Sequence, residues 1–289
     1  MYACVVARIG YRVPRTQFDG VVHSVFARAC YIDCDGSLLT LATAGVADGP
    51  TTLVLGSVGP ADLRSSFNAG DAVRCRNSRI HGRGLVLDLA EATTWRAPRP
   101  RSLLDRRDTA TRVAMARARL VDGRRNRSSV LDRSGTAAIT AVERACRRLQ
   151  VADALAGIER FVGWGEGLTP AGDDYVVGLC AALGALAKGD AARRVFLARV
   201  RGFVAAQCAR TTPISAHWLT LASRGHFNAD LLRALNALRT GRDVHVARDA
   251  LDALMAVGAT SGADALTGIL SGFVAWMKPS PTLSGEPRQ

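Results

Sequence analysis

The chain has 289 residues, 48% of them hydrophobic and 22% charged, with a formal net charge of +13. This length allows one large domain or two ordinary ones, and the composition supports a sizeable core and excludes a disordered chain. The longest apolar run outside glycine, Val176 to Ala187, is far short of the roughly 20 residues of a bilayer span. Met1 to Arg8 has no basic region ahead of a long apolar stretch, which argues against a signal peptide and for a cytoplasmic chain without membrane contact.

Residues 1–97 read as a β-rich domain. Short apolar segments at residues 20–26, 38–41, 52–55, 72–75 and 85–89 alternate with turn signals such as Asp35-Gly36 and Gly82-Arg-Gly84. Strands at that spacing predict a small barrel or sandwich. Trp95-Arg-Ala-Pro-Arg-Pro100 is a proline-broken junction. From there the pattern turns helical, giving an α+β chain whose second domain spans residues 98–278. Apolar residues at helical spacing predict helices over residues 102–120, 136–155, 171–187, 193–210, 213–223, 228–238, 244–257 and 263–277. Residues 279–289, with three prolines and two serines, read as a disordered tail.

Residues 96–148 carry fifteen arginines against five acids. Such a segment attracts anions, so a nucleic-acid or nucleotide binder is one alternative. Aromatics are only 6% of the chain and are not interleaved with the arginines, which disfavours nucleic acid. The seven cysteines are scattered. Without a second Cys pair or a histidine cluster they read as buried, reduced thiols and not as a zinc or disulfide framework.

The most unusual stretch is Gly163-Trp-Gly-Glu-Gly-Leu-Thr-Pro-Ala-Gly-Asp-Asp174. Its alternating glycines, Gly165 and Gly167 included, demand tight bends. Thr169 before Pro170 predicts a helix N-cap, and Asp173 and Asp174 follow in the first turn. A glycine-rich loop feeding a helix start suits an anion, although the spacing matches neither the Walker A loop nor the dinucleotide fingerprint. Arg210-Thr-Thr-Pro-Ile-Ser215 repeats the Thr-Pro start, with Thr211, Thr212 and Ser215 as candidates. Gly258-Ala-Thr-Ser-Gly-Ala-Asp264 is a third opening, in which Ser261 and Asp264 form a capping-box variant flanked by Thr260 and Gly262.

The third opening echoes the first, since Asp174-x-x-x-Gly178 matches Asp264-x-x-x-Gly268. Each glycine then shares a helix face with its aspartate and permits close packing. If the three openings converge on one pocket, their N–H groups and hydroxyls hold phosphate or carboxylate. Asp173, Asp174 and Asp264 would then serve as base, as amide acceptors, or (for Asp173 and Asp174) as ligands to Mg²⁺. His23, Ser24, His217 and Arg210 are accessory candidates, although a lone helical histidine such as His217 more often sits in a partial core.

The Gly-Leu-Thr-Pro-x-Gly-Asp-Asp block resembles the signature of the AllH-type family. So do Thr211-Thr-x-x-Ser215 with Leu219 and Ala222, Ser261-Gly-x-Asp-x-Leu-x-Gly268, Val22-His-Ser-Val-Phe-x-Arg-Ala29 and Ala90-x-x-x-x-Trp95. The resemblance implies one subunit of a bacterial oxamate carbamoyltransferase from anaerobic allantoin use. It implies phosphorolysis of oxalurate, or a related ureido acid, to oxamate and carbamoyl phosphate. It also implies an FdrA-like partner subunit and a third subunit. That chemistry requires no cofactor, and a small anionic carbamoyl substrate and phosphate suit the three helix openings. A non-catalytic scaffold subunit is the other reading.

Overall fold

The computed structural model describes residues 2–98, 106–125, 127–240 and 243–277. The expected tail, residues 279–289, lies outside them, as do residues 102–105 of the first expected helix. The chain divides into two compact units: Met1–Arg99 with His226–Leu232, and Pro100–Gly225 with Arg233–Gln289.

The first unit is a closed barrel, which settles the choice between barrel and sandwich. Its strands are β1 (Tyr2–Gly10), β2 (Gln17–Val25), β3 (Ala29–Cys34), β4 (Ser37–Ala42), β5 (Thr52–Leu55), β6 (Ala72–Arg76), β7 (Arg79–Gly82) and β8 (Leu85–Asp88). They run β5-β4-β3-β2-β6-β7-β8-β1, and β1 pairs back onto β5. The short strand β9 (Thr93–Trp95) lies parallel to the end of β1, with Arg8 opposite Thr93. Closure removes the open edges that invite aggregation.

The strand period explains the core. Val73 and Cys75 on β6 and Leu85 and Leu87 on β8 point inward, while their neighbours stay exposed or half-buried. Asp35 and Gly36, both at positive φ, join β3 to β4, and Asn77 and Ser78 do the same between β6 and β7. The segment His226–Leu232 joins this unit through Ala229 N, which donates to Asp48 O at 2.8 Å, and through Tyr11 Oη, 2.8 Å from His226 Nδ1.

The second unit is helical: α1 (Arg106–Arg124), α2 (Thr136–Arg147), α3 (Val151–Glu159), α4 (Ala171–Leu186), α5 (Ala191–Gln207), α6 (Pro213–Ser223), α7 (Ala229–Thr240), α8 (Val244–Met255) and α9 (Ser261–Trp276). Helix α7 begins within the segment that joins the barrel unit. Two expectations change. The helix expected over residues 136–155 is two, because Leu149 takes φ +54 and Gln150 N returns to Ala145 O at 3.0 Å. That left-handed stop normally uses glycine, so no glycine or proline marks it. The helix expected over residues 193–210 ends as α5 at Gln207, followed by a 3-10 turn, Cys208–Arg210.

Helices α4 and α9 are apolar nearly all round and form the centre of this unit. They run parallel, because Gly268 lies against Tyr175 and Leu179 while Gly272, further along α9, lies against Ala182. A Cβ at Gly178 would sit 1.9 Å from Ala265 O, and a Cβ at Gly268 would sit 1.9 Å from Tyr175 O. The two contacts mirror each other: each glycine meets the carbonyl of the residue after the opposite aspartate. Parallel helices with this register bring both N-termini, and so both aspartates, to the same end.

Several arginines of residues 96–148 are engaged with other helices of the unit. Arg112 donates to Leu238 O at 3.0 Å, Arg119 pairs with Asp252, and Arg147 donates to Val274 O at 3.1 Å. These side chains brace helix ends and helix pairs, which weakens the nucleic-acid alternative. The seven cysteines are free thiols. No helix among the described residues is long and apolar enough to cross a membrane.

Candidate functional site

The three helix openings converge. The glycine loop, α4, α6 and α9 all belong to the helical unit, and four hydroxyl contacts tie them together. Gly163, Gly165 and Gly167 take φ of +74, +120 and +92, left-handed values that other residues rarely adopt. A side chain at Gly163 would collide with Arg210 O at 2.7 Å, so the loop lies directly against the segment that leads into α6.

Asp173 is the knot. Its Oδ1 accepts from Gly163 N at 2.8 Å, and its Oδ2 accepts from Ser215 Oγ at 2.7 Å and from Thr211 Oγ1. It is 1% exposed, so its oxygens are satisfied by donors of the chain and not by bulk water. Thr212 caps α6 as expected, accepting from Ser215 N at 3.2 Å, and its hydroxyl donates to Leu168 O at 2.5 Å. The contact from Thr212 ties α6 to the Gly-Leu-Thr-Pro loop.

Two caps differ from expectation. Pro170, not Thr169, occupies the N-cap of α4, and Thr260, not Ser261, occupies that of α9, neither with a side-chain capping bond. Thr169 and Ser261 instead bond each other, Oγ1 to Oγ at 2.8 Å, across 92 residues of sequence. A long-range partner has displaced the local one. Some helix-start amides are also already used. Gly172 N donates to Trp164 O at 2.8 Å and Gly262 N to Val257 O at 3.0 Å. These two amides are therefore engaged within the chain.

Asp174 and Asp264 face this junction. Burial pushes the Asp174 carboxyl well above the usual carboxylate range, and the charges of Asp264 and Asp173 add to the rise, while the hydroxyls of Ser261 and Thr169 oppose it. Burial also raises Asp264, against the pull of Ser129, Arg124 and Thr260. Asp174 Oδ2 and Asp264 Oδ2 are both buried without a hydrogen-bond partner among the described residues. Buried oxygens of this kind are costly unless something donates to them.

The arginine at the site is Arg124, at the end of α1, which the sequence analysis did not single out. It donates to Asp264 Oδ1 at 2.9 Å and to Thr267 Oγ1 at 2.7 Å, and it pairs with Asp132. Its sequence neighbourhood shows only an arginine-rich run, and the partner lies 140 residues away. Arg210, the expected arginine, instead reaches Glu159 Oε1 and Gln207 Oε1, each at 2.8 Å, on the surface.

The remaining candidates divide. His217 sits two turns into α6, and burial lowers its pKa to about 4, so it is neutral near pH 7. Its ring lies edge-on to Trp218. His23 and Ser24 belong to the barrel unit, on β2, with Nδ1 and Oγ 3.1 Å apart. Asp173 has committed both oxygens, and among the described residues no group of three or more His, Cys, Asp or Glu is gathered to hold a metal ion.

Comparison with known proteins bears on both units. The model of the AllH family N-terminal domain matches residues 4–94, and the model described as oxamate carbamoyltransferase subunit AllH matches residues 161–273, which hold all three helix openings. No solved structure matches the chain. With both family models matched across its two units, the chain belongs to the AllH family.

Proposed function

We propose that the helical unit binds a small carbamoyl-bearing anion and that the chain is the substrate-handling subunit of an oxamate carbamoyltransferase. The reaction is phosphorolysis of oxalurate or a related ureido acid. A phosphate oxygen attacks the carbamoyl carbon, the bond from that carbon to the oxamate nitrogen breaks, and a proton goes to that nitrogen. The observation that carries this reading is the pair of unpartnered oxygens, Asp174 Oδ2 and Asp264 Oδ2, in the first turns of α4 and α9, whose openings Thr169 and Ser261 join.

Asp174, whose burial favours the protonated carboxyl, supplies the proton to the leaving nitrogen and recovers one from the incoming phosphate. Asp264, oriented by Arg124, which Thr267 in turn helps to hold, accepts from the carbamoyl NH₂. The hydroxyls of Thr169 and Ser261 and the aligned dipoles of α4 and α9 favour the negative charge that develops during transfer. No cofactor is needed for these steps. Leu168, 50% exposed between Gly167 and Thr169, offers an apolar contact beside the site to an FdrA-like or third subunit.

Asp174→Asn tests the assignment. Calorimetric titration of the chain with carbamoyl phosphate and with oxamate should give heat that this variant weakens at least tenfold. The fold should survive. A carboxyl whose folded pKa is raised costs nothing below its ordinary value, near 4. It costs progressively more as the pH climbs toward the raised value. The asparagine removes that cost, so at pH 8 the variant should be at least as stable as the parent. Absence of binding by both anions, together with capture of a partner subunit, would leave the scaffold reading in its place.

A further inference from the structure

A second charged cleft lies at the other end of α4. It has a volume of ≈ 370 Å³ and is lined by Gly184, Ala187, Lys188, Arg194, Leu197, Ala198 and Arg201. Three of these side chains are cationic and none is acidic. Arg201 stands out. Its Nε is buried without a hydrogen-bond partner, and it takes part in no ion pair among the described residues. Packing holds the guanidinium: a Cβ at Gly184 would lie 2.7 Å from Nη2, and one at Gly225 would lie 3.1 Å from it. Its neighbour Cys180 offers no counter-charge, since burial pushes that thiol up to about 12.

The bland account is that cations collect at the end of α4 because they complement the helix dipole. It covers Lys188. It does not cover Arg194, which sits in the first turn of α5, where the dipole is positive and no acid is present. The adjacent Arg193 is neutralised by Asp190, 3.5 Å away, and lies over the Trp276 ring at 5.1 Å. Arg194 has no such compensation: only its backbone N–H is engaged, with Asp190 O. An unpaired arginine at a helix start and a part-buried arginine without an acceptor both cost stability, and one anion would relieve both.

We propose that this cleft is a binding site for a small molecule bearing two or more phosphate groups. Arginine forks grip phosphate oxygens in pairs, and Lys188 adds a mobile point charge. The aliphatic wall of Ala187, Leu197 and Ala198 and the cleft volume suit a molecule of nucleoside-diphosphate size. The site is separate from the Asp174 junction and does not depend on the carbamoyltransferase reading.

Titration of the full chain with pyrophosphate and with ADP, at constant ionic strength, tests it. Both probes should bind at one site. Arg201→Gln should weaken each at least tenfold, Lys188→Gln/Arg194→Gln should do the same, and Asp174→Asn should leave both unchanged. The double variant alters only exposed side chains, so misfolding does not cloud its outcome. The proposal is overturned if neither probe binds, or if both charge variants bind as the parent does. It is also overturned if a glutamate-rich peptide binds through these cations while pyrophosphate and ADP do not.

Discussion

Replacing Gly178 or Gly268 with alanine should lower the stability of the helical unit by about 3 kcal/mol or more, a fall in Tm of roughly 6–12 °C. The added methyl would lie 1.9 Å from a backbone carbonyl of the facing helix at either position. A side chain could swing aside, but a carbonyl moves only if the helix moves. Forcing α4 and α9 apart would also separate Thr169 from Ser261 and open the junction. The matched control is Gly202→Ala on α5, where nothing lies within 4 Å of the new Cβ. Helix propensity there favours alanine by up to about 1 kcal/mol. Thermal unfolding of the three variants should therefore move in opposite directions. Equal melting of Gly178→Ala and the parent would show that the helices do not touch as described.

Asp173→Ala should be nearly as damaging, at roughly 3 kcal/mol or more, because it strands Gly163 N–H and the hydroxyls of Thr211 and Ser215 without their acceptor. Asp173→Asn should recover little, since its amide nitrogen would face donors where an oxygen is needed. Thr211→Val and Ser215→Ala each remove one donor and should cost only about 1–2 kcal/mol. Urea unfolding of the four variants distinguishes the roles. If Asp173→Ala were as stable as the parent but lost ligand affinity, Asp173 would be a ligand-facing residue and not the knot of the three segments.

The contrast between Asp173 and Asp174 shows what the sequence carries and what it does not. The block from Gly163 to Asp174 announces a tight loop and a helix start, because positive φ and Thr-Pro have local chemical causes. The echo of Asp-x-x-x-Gly in α4 and α9 is legible for the same reason: a period of four places both residues on one helix face. Which aspartate knots the loops and which faces the junction depends on partners 10 to 42 residues distant in sequence, and adjacent identical residues carry no mark of it. Arg124 is hidden in the same way, as one arginine among fifteen in its segment. In the barrel, β1, β3, β7 and β9 were not anticipated. β1 bulges between Val6 and Arg8 as it changes partners, which interrupts its alternation, and β7 and β9 are only four and three residues long. The break at Leu149 used a residue that carries no turn signal.

Cysteine pairing at positions 169 and 261 is the most direct test of the convergence on which the functional reading stands. Their hydroxyl oxygens are 2.8 Å apart, so sulfurs in their place come within bonding reach after a small rotation. Under mild oxidation, Thr169→Cys/Ser261→Cys should form this disulfide in most molecules, read by mass spectrometry of the joined peptides. A control pairing Thr169→Cys with Ser223→Cys, at the far end of α6, should stay reduced. Two freely reactive thiols at 169 and 261, in chain that melts as the parent does, would contradict the shared junction.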